Sequence, residues 1–143
     1  MPYATHDDIV ERYGDDGALR AFDKDGDGAL DADVEAQALA DASDLIDSYI
    51  GARFDLPLTT VPTRLKRVCV ELAIYYASDD VTRQTEENKN RYKENVQWLR
   101  DLSTGKASLA LDESPASIDR GVETAAVTSS TRLFTRAKLG GLW

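Results

Sequence analysis

A chain of 143 residues with 30% charged and 42% hydrophobic side chains has the length for one folded domain with a real core, and no apolar run approaches the ~20 residues of a membrane span. Its single cysteine excludes an internal disulfide, and its start lacks the basic stretch followed by an apolar stretch that marks a secretion signal. The net charge of −9 is unevenly placed, with 15 acids and 4 basic residues in 1–60 (−11) against 11 acids and 13 basic residues in 61–143 (+2), so the front half is expected to repel nucleic-acid phosphates.

Thr5 followed by Asp7 and Asp8 predicts a helix N-cap with acids in the first turn. Ile9, Val10 and Tyr13 give that helix a short apolar face, which Gly14 ends. A second short turn from Asp16 to Phe22 is expected to bury Leu19 and Phe22. The lone His6 reads as a surface residue, since one histidine without partners makes neither a metal cluster nor a triad.

The next stretch, Asp23-Lys24-Asp25-Gly26-Asp27-Gly28-Ala29-Leu30-Asp31, has an acid at every second position and a glycine after the third. This is close to the calcium loop of an EF-hand, which takes oxygens at positions 1, 3, 5, 7 and 9, glycine at 6 and a bidentate Glu at 12. Asp23, Asp25, Asp27, the carbonyl of Ala29 and Asp31 fill the first five of these. Position 12 is Val34, with Asp33 one residue early and Glu35 one late. Two readings stay open: a structural calcium site, or a solvated turn whose last acids favour the positive end of the following helix.

Residues 33–54 read as a long amphipathic helix with Val34, Ala38, Ala42, Leu45, Ile46, Tyr49 and Ile50 on one face and Asp41, Asp44 and Asp47 toward solvent. Pro57 and Pro62 break it, with Leu56 and Leu58 expected to anchor the crossover. The segment 62–79 carries Leu65, Val68, Cys69, Leu72, Ala73, Tyr75 and Tyr76 and is expected to be the central core helix. Its start is basic (Arg64, Lys66, Arg67), which is unfavourable for the dipole. Either a partner or water is expected to face that cluster. A further helix over 80–103 aligns Tyr92, Val96, Leu99 and Leu102, leaves Trp98 off the main stripe, and closes at Gly105. Residues 106–111 alternate like a short strand. The architecture predicted is mainly α: a small helical bundle with an acidic Asp/Gly loop, a short strand or hairpin and an extended C-terminal arm. The helical domain spans 1–111. Residues 112–131 have the composition of a flexible linker. Residues 132–143 form a docking arm in which Arg132, Leu133, Phe134, Arg136, Lys138, Leu139, Leu142 and Trp143 are the candidate partner-binding residues.

No nucleophile motif, no histidine with an acid/base partner, no phosphate loop and no Cys/His metal set is present, so no enzyme is expected. The order of Tyr3-Ala4-Thr5, Asp8-Ile9-Val10-Glu11-Arg12-Tyr13-Gly14, the acidic loop, Ala40-Asp41-Ala42-Ser43, Ile46-Asp47-Ser48-Tyr49, Arg53-Phe54-Asp55-Leu56-Pro57-Leu58, Val61-Pro62, Trp98-Leu99, Gly105-Lys106, Leu109-Ala110-Leu111 and Leu133-Phe134-Thr135-Arg136 resembles a family of Mu-like phage and prophage structural proteins encoded among head and tail morphogenesis genes. That family is similar in turn to the helical head–tail adaptor (connector) proteins of long-tailed phages. The resemblance implies a helical protomer in a ring, commonly of twelve copies, in the virion neck below the portal protein. The ring would extend the DNA channel toward the stopper or tail-completion protein, made in the host cytoplasm and touching no membrane. It carries over no active site and no cofactor. An acidic channel wall would let DNA pass without specific binding. The competing reading is a calcium-binding interaction module resembling a single EF-hand or dockerin loop. A small DNA-binding protein is a third, opposed by the charge of residues 1–60.

Overall fold

Thr5 caps the first helix and Asp8 closes the box from the other side. The Asp8 carboxylate accepts the backbone N–H of Thr5 at 2.9 Å and its hydroxyl at 3.0 Å, the half of a capping box that satisfies the N–H of the cap residue. The structure is a computed structural model that describes residues 1–78 and 84–109. Within them lie four helices: α1 (His6–Phe22), α2 (Ala32–Ile50), α3 (Thr63–Ala77) and α4 (Glu86–Ser103). The two expected N-terminal pieces are joined end to end in α1. They are offset by a kink at Gly14, whose φ of 72° and ψ of 170° suit a residue without a Cβ.

α3 is the hub. It packs against α1, α2 and α4, most extensively against α2. Leu65, Val68, Cys69, Val70, Leu72 and Ala73 of α3 are buried. From α2 come Ala38, Leu39, Ala42, Ile46 and Ile50, from α1 Ile9, Ala18 and Phe22, and from α4 Leu99 and Leu102. Burying each large apolar side chain of this set is worth roughly 1.5–3 kcal/mol, and this central layer is what orients the loops. Small residues let α2 approach α3. The Ser43 hydroxyl bonds the Leu39 carbonyl at 2.7 Å, accepts the Tyr3 N–H at 3.1 Å and sits 3.6 Å from the Cys69 sulfur, which ties the N-terminal segment to both helices.

Several expectations change. α2 ends at Ile50 rather than 54, because Arg53 and Phe54 N–H both turn back to the Ile50 carbonyl. α4 begins at Glu86, where Thr85 accepts the Asn88 N–H at 3.2 Å as N-cap. Leu58 packs on the core, but Leu56 does not anchor the crossover and is 40% exposed. Asp47 is not a solvent-side acid, because its carboxylate takes the Tyr3 hydroxyl. In the second half of α1, Ala18 is buried where Leu19 was expected. Residues 106–109 are not a strand. Gly105, at φ 80°, bonds Leu102, and the N–H groups of Lys106 and Ala107 both fold onto the Asp101 carbonyl. Residues 110–111, the linker 112–131 and the arm 132–143 lie outside the described residues. Among the described residues no helix is long and apolar enough to cross a membrane.

Candidate functional site

The acidic loop is held by its own aspartates. Asp23 receives the N–H of Gly26 at 2.6 Å and of Gly28 at 3.1 Å, Asp25 that of Asp27 at 3.1 Å, and Asp27 that of Ala29 at 2.7 Å. Gly26 and Gly28 take φ of 78° and 85°, which a side chain at either position would resist. Carboxylate oxygens of Asp23, Asp25 and Asp27 come within 4.8 Å of one another, close enough to share a cation. Asp31 holds the N-cap position of α2, yet its carboxylate turns back and accepts the Lys24 N–H at 2.8 Å. Ala29 is exposed.

The residue needed at the twelfth position is spoken for. Glu35 is buried, with its side chain 8% exposed, and binds the His6 Nδ1 at 2.9 Å. This pair ties the start of α1 to the first turn of α2, and Glu35 is not among the carboxylates that converge in the loop. Hydrogen bonding to Glu35, with its charge, holds the His6 pKa above the ordinary 6.5.

Beside that pair lies a groove of about 400 Å³ with a mostly apolar lining. Pro2, Ala4, Leu30, Ala32, Ala36 and Leu39 line it, with Thr5, His6 and Glu35 at its polar edge. Three of the six are alanines, which leaves room above the backbone. Its one acid, Glu35, is already paired with His6.

The chain matches the family described as Bacteriophage Mu, Gp36 over residues 3–127. It is 37% identical to gene product J of Escherichia phage Mu over 141 residues, covering 98% of this chain and 99% of the relative. It is 31% identical over 121 residues to the Mu-like prophage FluMu protein gp36 of Haemophilus influenzae, covering 82% of each. The chain belongs to the Gp36 family. It is thus a Mu-like phage protein. The family match contains the acidic loop, the groove apart from Pro2 and all four helices and stops before Arg132, whereas the alignment with gene product J runs on through nearly the whole chain.

In this Gp36-family chain the basic start of α3 has its partners inside the molecule. Lys66 pairs with Asp8 at 3.2 Å, Arg67 with Glu71 at 2.9 Å, and Arg64 lies 5.1 Å from the centre of the Trp98 ring. The Lys66 and Arg67 side chains stay 43% and 47% exposed, so water faces this first turn as well. The cation over its face explains why Trp98 sits off the main stripe of α4 while still packing on the core. Arg53, from the Arg-aromatic-x-Leu-Pro-Leu stretch, caps the end of α4 by donating to the Leu102 carbonyl at 3.0 Å. The candidate residues Arg132, Leu133, Phe134, Arg136, Lys138, Leu139, Leu142 and Trp143 lie outside the described residues.

A polar network between α3 and α4 has no motif in the sequence. Glu71 is buried and takes the Asn95 amide at 2.7 Å on one oxygen and Arg67 on the other. Arg91 bonds Glu87 and, at 3.1 Å, the Tyr13 hydroxyl. Burial raises the Glu71 pKa, but the Asn95 and Arg67 hydrogen bonds and the charges of Arg67 and Arg91 outweigh it and hold the carboxyl below its ordinary value. The only signal in the sequence is position: Asn95 lies four residues before Leu99, on the same helix face. Cys69 is fully buried, and burial pushes its thiol pKa up, the setting of an unreactive structural cysteine.

Proposed function

We propose that this protein is a virion structural subunit: a head–tail adaptor that forms a ring, of twelve copies, below the portal protein and carries the DNA channel toward the stopper or tail-completion protein. It acts without catalysis, in the neck of the particle. The observation that supports this most is the charge arrangement. Asp15, Asp16, Asp25, Asp27, Asp33, Asp41, Asp44 and Asp55 are exposed, while the basic start of α3 is engaged by Asp8, Glu71 and Trp98. Such a surface repels phosphates at short range and lets DNA slide past. Membership of the Bacteriophage Mu Gp36 family supports a role in a phage. Knocking out its gene in the phage tests the reading. DNA-filled heads and separate finished tails are expected, and complementation should restore joined particles. Absent heads, or heads with tails attached, would refute it.

A second reading is favoured by the convergence of Asp23, Asp25 and Asp27: the loop binds calcium as a structural staple. The ion would be held by these three, the Ala29 carbonyl and Asp31, and would replace repulsion among the acids by attraction. It fixes the loop between α1 and α2 and is compatible with the adaptor role.

A further inference from the structure

We propose that residues 1–4 form a strap that opens as a unit while the four helices stay folded, and that this opening is what uncovers Cys69. The device stands apart from the adaptor reading and does not rest on it.

The strap is pinned at two residues. Tyr3 and Ala4 are buried, while Met1 and Pro2 before them and Thr5 and His6 after them are exposed. None of the four belongs to a helix, since α1 starts at His6, so lifting them breaks no helical hydrogen bond. Their ties run to α2 and α3 instead. The Tyr3 N–H donates to the Ser43 hydroxyl at 3.1 Å, and the Tyr3 hydroxyl donates to the Asp47 carboxylate. The chain beyond Thr5 is held separately. Asp8 takes the Thr5 N–H and pairs with Lys66 of α3, and His6 pairs with Glu35 of α2. Thr5 therefore joins a short pinned segment to a helix start that has its own anchors, which makes it the hinge.

Cys69 lies under the strap. It is fully buried on α3. The N–H groups of Tyr3 and Ala4 both bond its sulfur, and the Ser43 hydroxyl of α2 is 3.6 Å away. Two of these three contacts leave with the strap. The open state thus bares a seam between α2 and α3 that holds Ser43, Asp47 and Cys69. The alternative route to the thiol parts α3 from the helices packed on it, and its contact with α2 is the most extensive in the fold. A segment held at two residues opens at a lower free energy than packed helices separate, so the strap is the easier path.

The test is the rate at which a neutral disulfide reagent labels Cys69, the chain's single cysteine, in the folded, full-length protein at pH 7. Tyr3→Phe keeps the ring and removes the hydroxyl bonded to Asp47. Because a hydrogen bond to a charged group is the stronger kind, labelling should be about ten-fold faster than in wild type. Asn95→Leu weakens the α3–α4 junction instead, and should lower the Tm while leaving the labelling rate unchanged. In wild type the rate should stay nearly flat in urea below the unfolding transition, because opening the strap exposes little surface. The proposal is overturned if Asn95→Leu speeds labelling in proportion to its loss of stability, or if the wild-type rate climbs in urea as steeply as the unfolding equilibrium. Either result would mean that Cys69 is reached only when the helices come apart. A Tyr3→Phe variant that labels no faster than wild type overturns it as well, since Tyr3 would then not be the pin. None of these outcomes touches the adaptor reading, which stands or falls on the knockout particles.

Discussion

Replacing Asn95 by leucine should destabilise the helical domain more than any other single polar change in α4. Asn95 is 2% exposed and donates to a Glu71 carboxylate that is 9% exposed. The variant removes one of the two side-chain donors to that carboxylate and puts a hydrocarbon against a charge. A hydrogen bond to a charged group is worth about 1.5–3 kcal/mol net, and breaking a buried charged pair from one side costs about 3–5 kcal/mol. Arg67 remains on the other oxygen, so the lower range applies, and a loss of about 2 kcal/mol is expected. For a domain near 100 residues this lowers the Tm by roughly 8–16 °C. Thermal unfolding followed by circular dichroism reads it directly. Adding Glu71→Met should recover much of the loss, because two apolar side chains leave nothing unsatisfied. The pH dependence has a defined sign. Glu71 has a folded pKa below its ordinary 4.5, so its contribution is present above about pH 4.5 and is lost as pH falls through the folded value. The difference between wild type and Asn95→Leu should therefore be full at pH 7 and narrow in acid. A variant that melts within a degree or two of wild type at pH 7, or a double variant less stable than either single one, would refute the reasoning.

The His6–Glu35 pair has the opposite sign: because the folded His6 pKa is raised above 6.5, its stabilisation is complete below that pH and disappears as pH rises through the folded value. Tm differences between wild type and His6→Gln should accordingly be largest near pH 6 and shrink at pH 9. If the loop holds an ion, calcium should raise the Tm by mass action, Asp27→Ala should remove the rise, and calorimetry without heat at millimolar calcium would leave only the self-bonded turn. Deleting residues 132–143 should leave the far-ultraviolet spectrum helical and abolish incorporation into virions, whereas normal occupancy in particles would make the arm dispensable.

Helix phase was legible for most apolar side chains that recur at three and four, Val96 of α4 being an exception that is part-buried and outside the core. Ile46, Leu65, Leu72, Leu99 and Leu102 are all fully buried as their spacing requires. The start signals were legible too, since Thr5 needs only Asp8 three residues on. What periodicity could not supply was any partner distant in sequence. Asp47 sits on α2 among acids and looks solvated, but Tyr3, 44 residues earlier, covers it. Arg53 and the Leu102 carbonyl are 49 residues apart, and Glu71 and Asn95 are 24 apart. Polar pairs of this kind carry no hydrophobic period, so only the packed helices bring them into view. The basic start of α3 shows the same limit in reverse: a cluster that reads as unpartnered along the chain is partnered by α1 and α4.

The loop is where the two levels meet. From spacing alone its affinity turned on whether Glu35, one residue past the twelfth position, could shift into place. The fold makes that costly. Glu35 is buried against His6, and moving it would uncouple the first turn of α2 from α1 and open the polar edge of the groove. A bound ion is thus limited to Asp23, Asp25, Asp27, Asp31 and a carbonyl, without a bidentate partner. Fewer charged ligands mean weaker binding, and calcium loops at the weak end of the range have Kd of about 10⁻⁴–10⁻³ M. The choice of Glu35 for His6 rather than for the loop therefore trades affinity for a fixed junction between α1 and α2. Substituting Val34→Glu should restore the missing ligand at its proper place and leave the His6–Glu35 pair intact, at the cost of the part-buried Val34 contact with the core. A calcium affinity at least tenfold above wild type, with the His6 titration unchanged, is the expected result. An affinity unchanged by Val34→Glu would mean that the loop does not present its aspartates to a metal at all, and that their bonds to Gly26, Gly28 and Ala29 are its whole purpose.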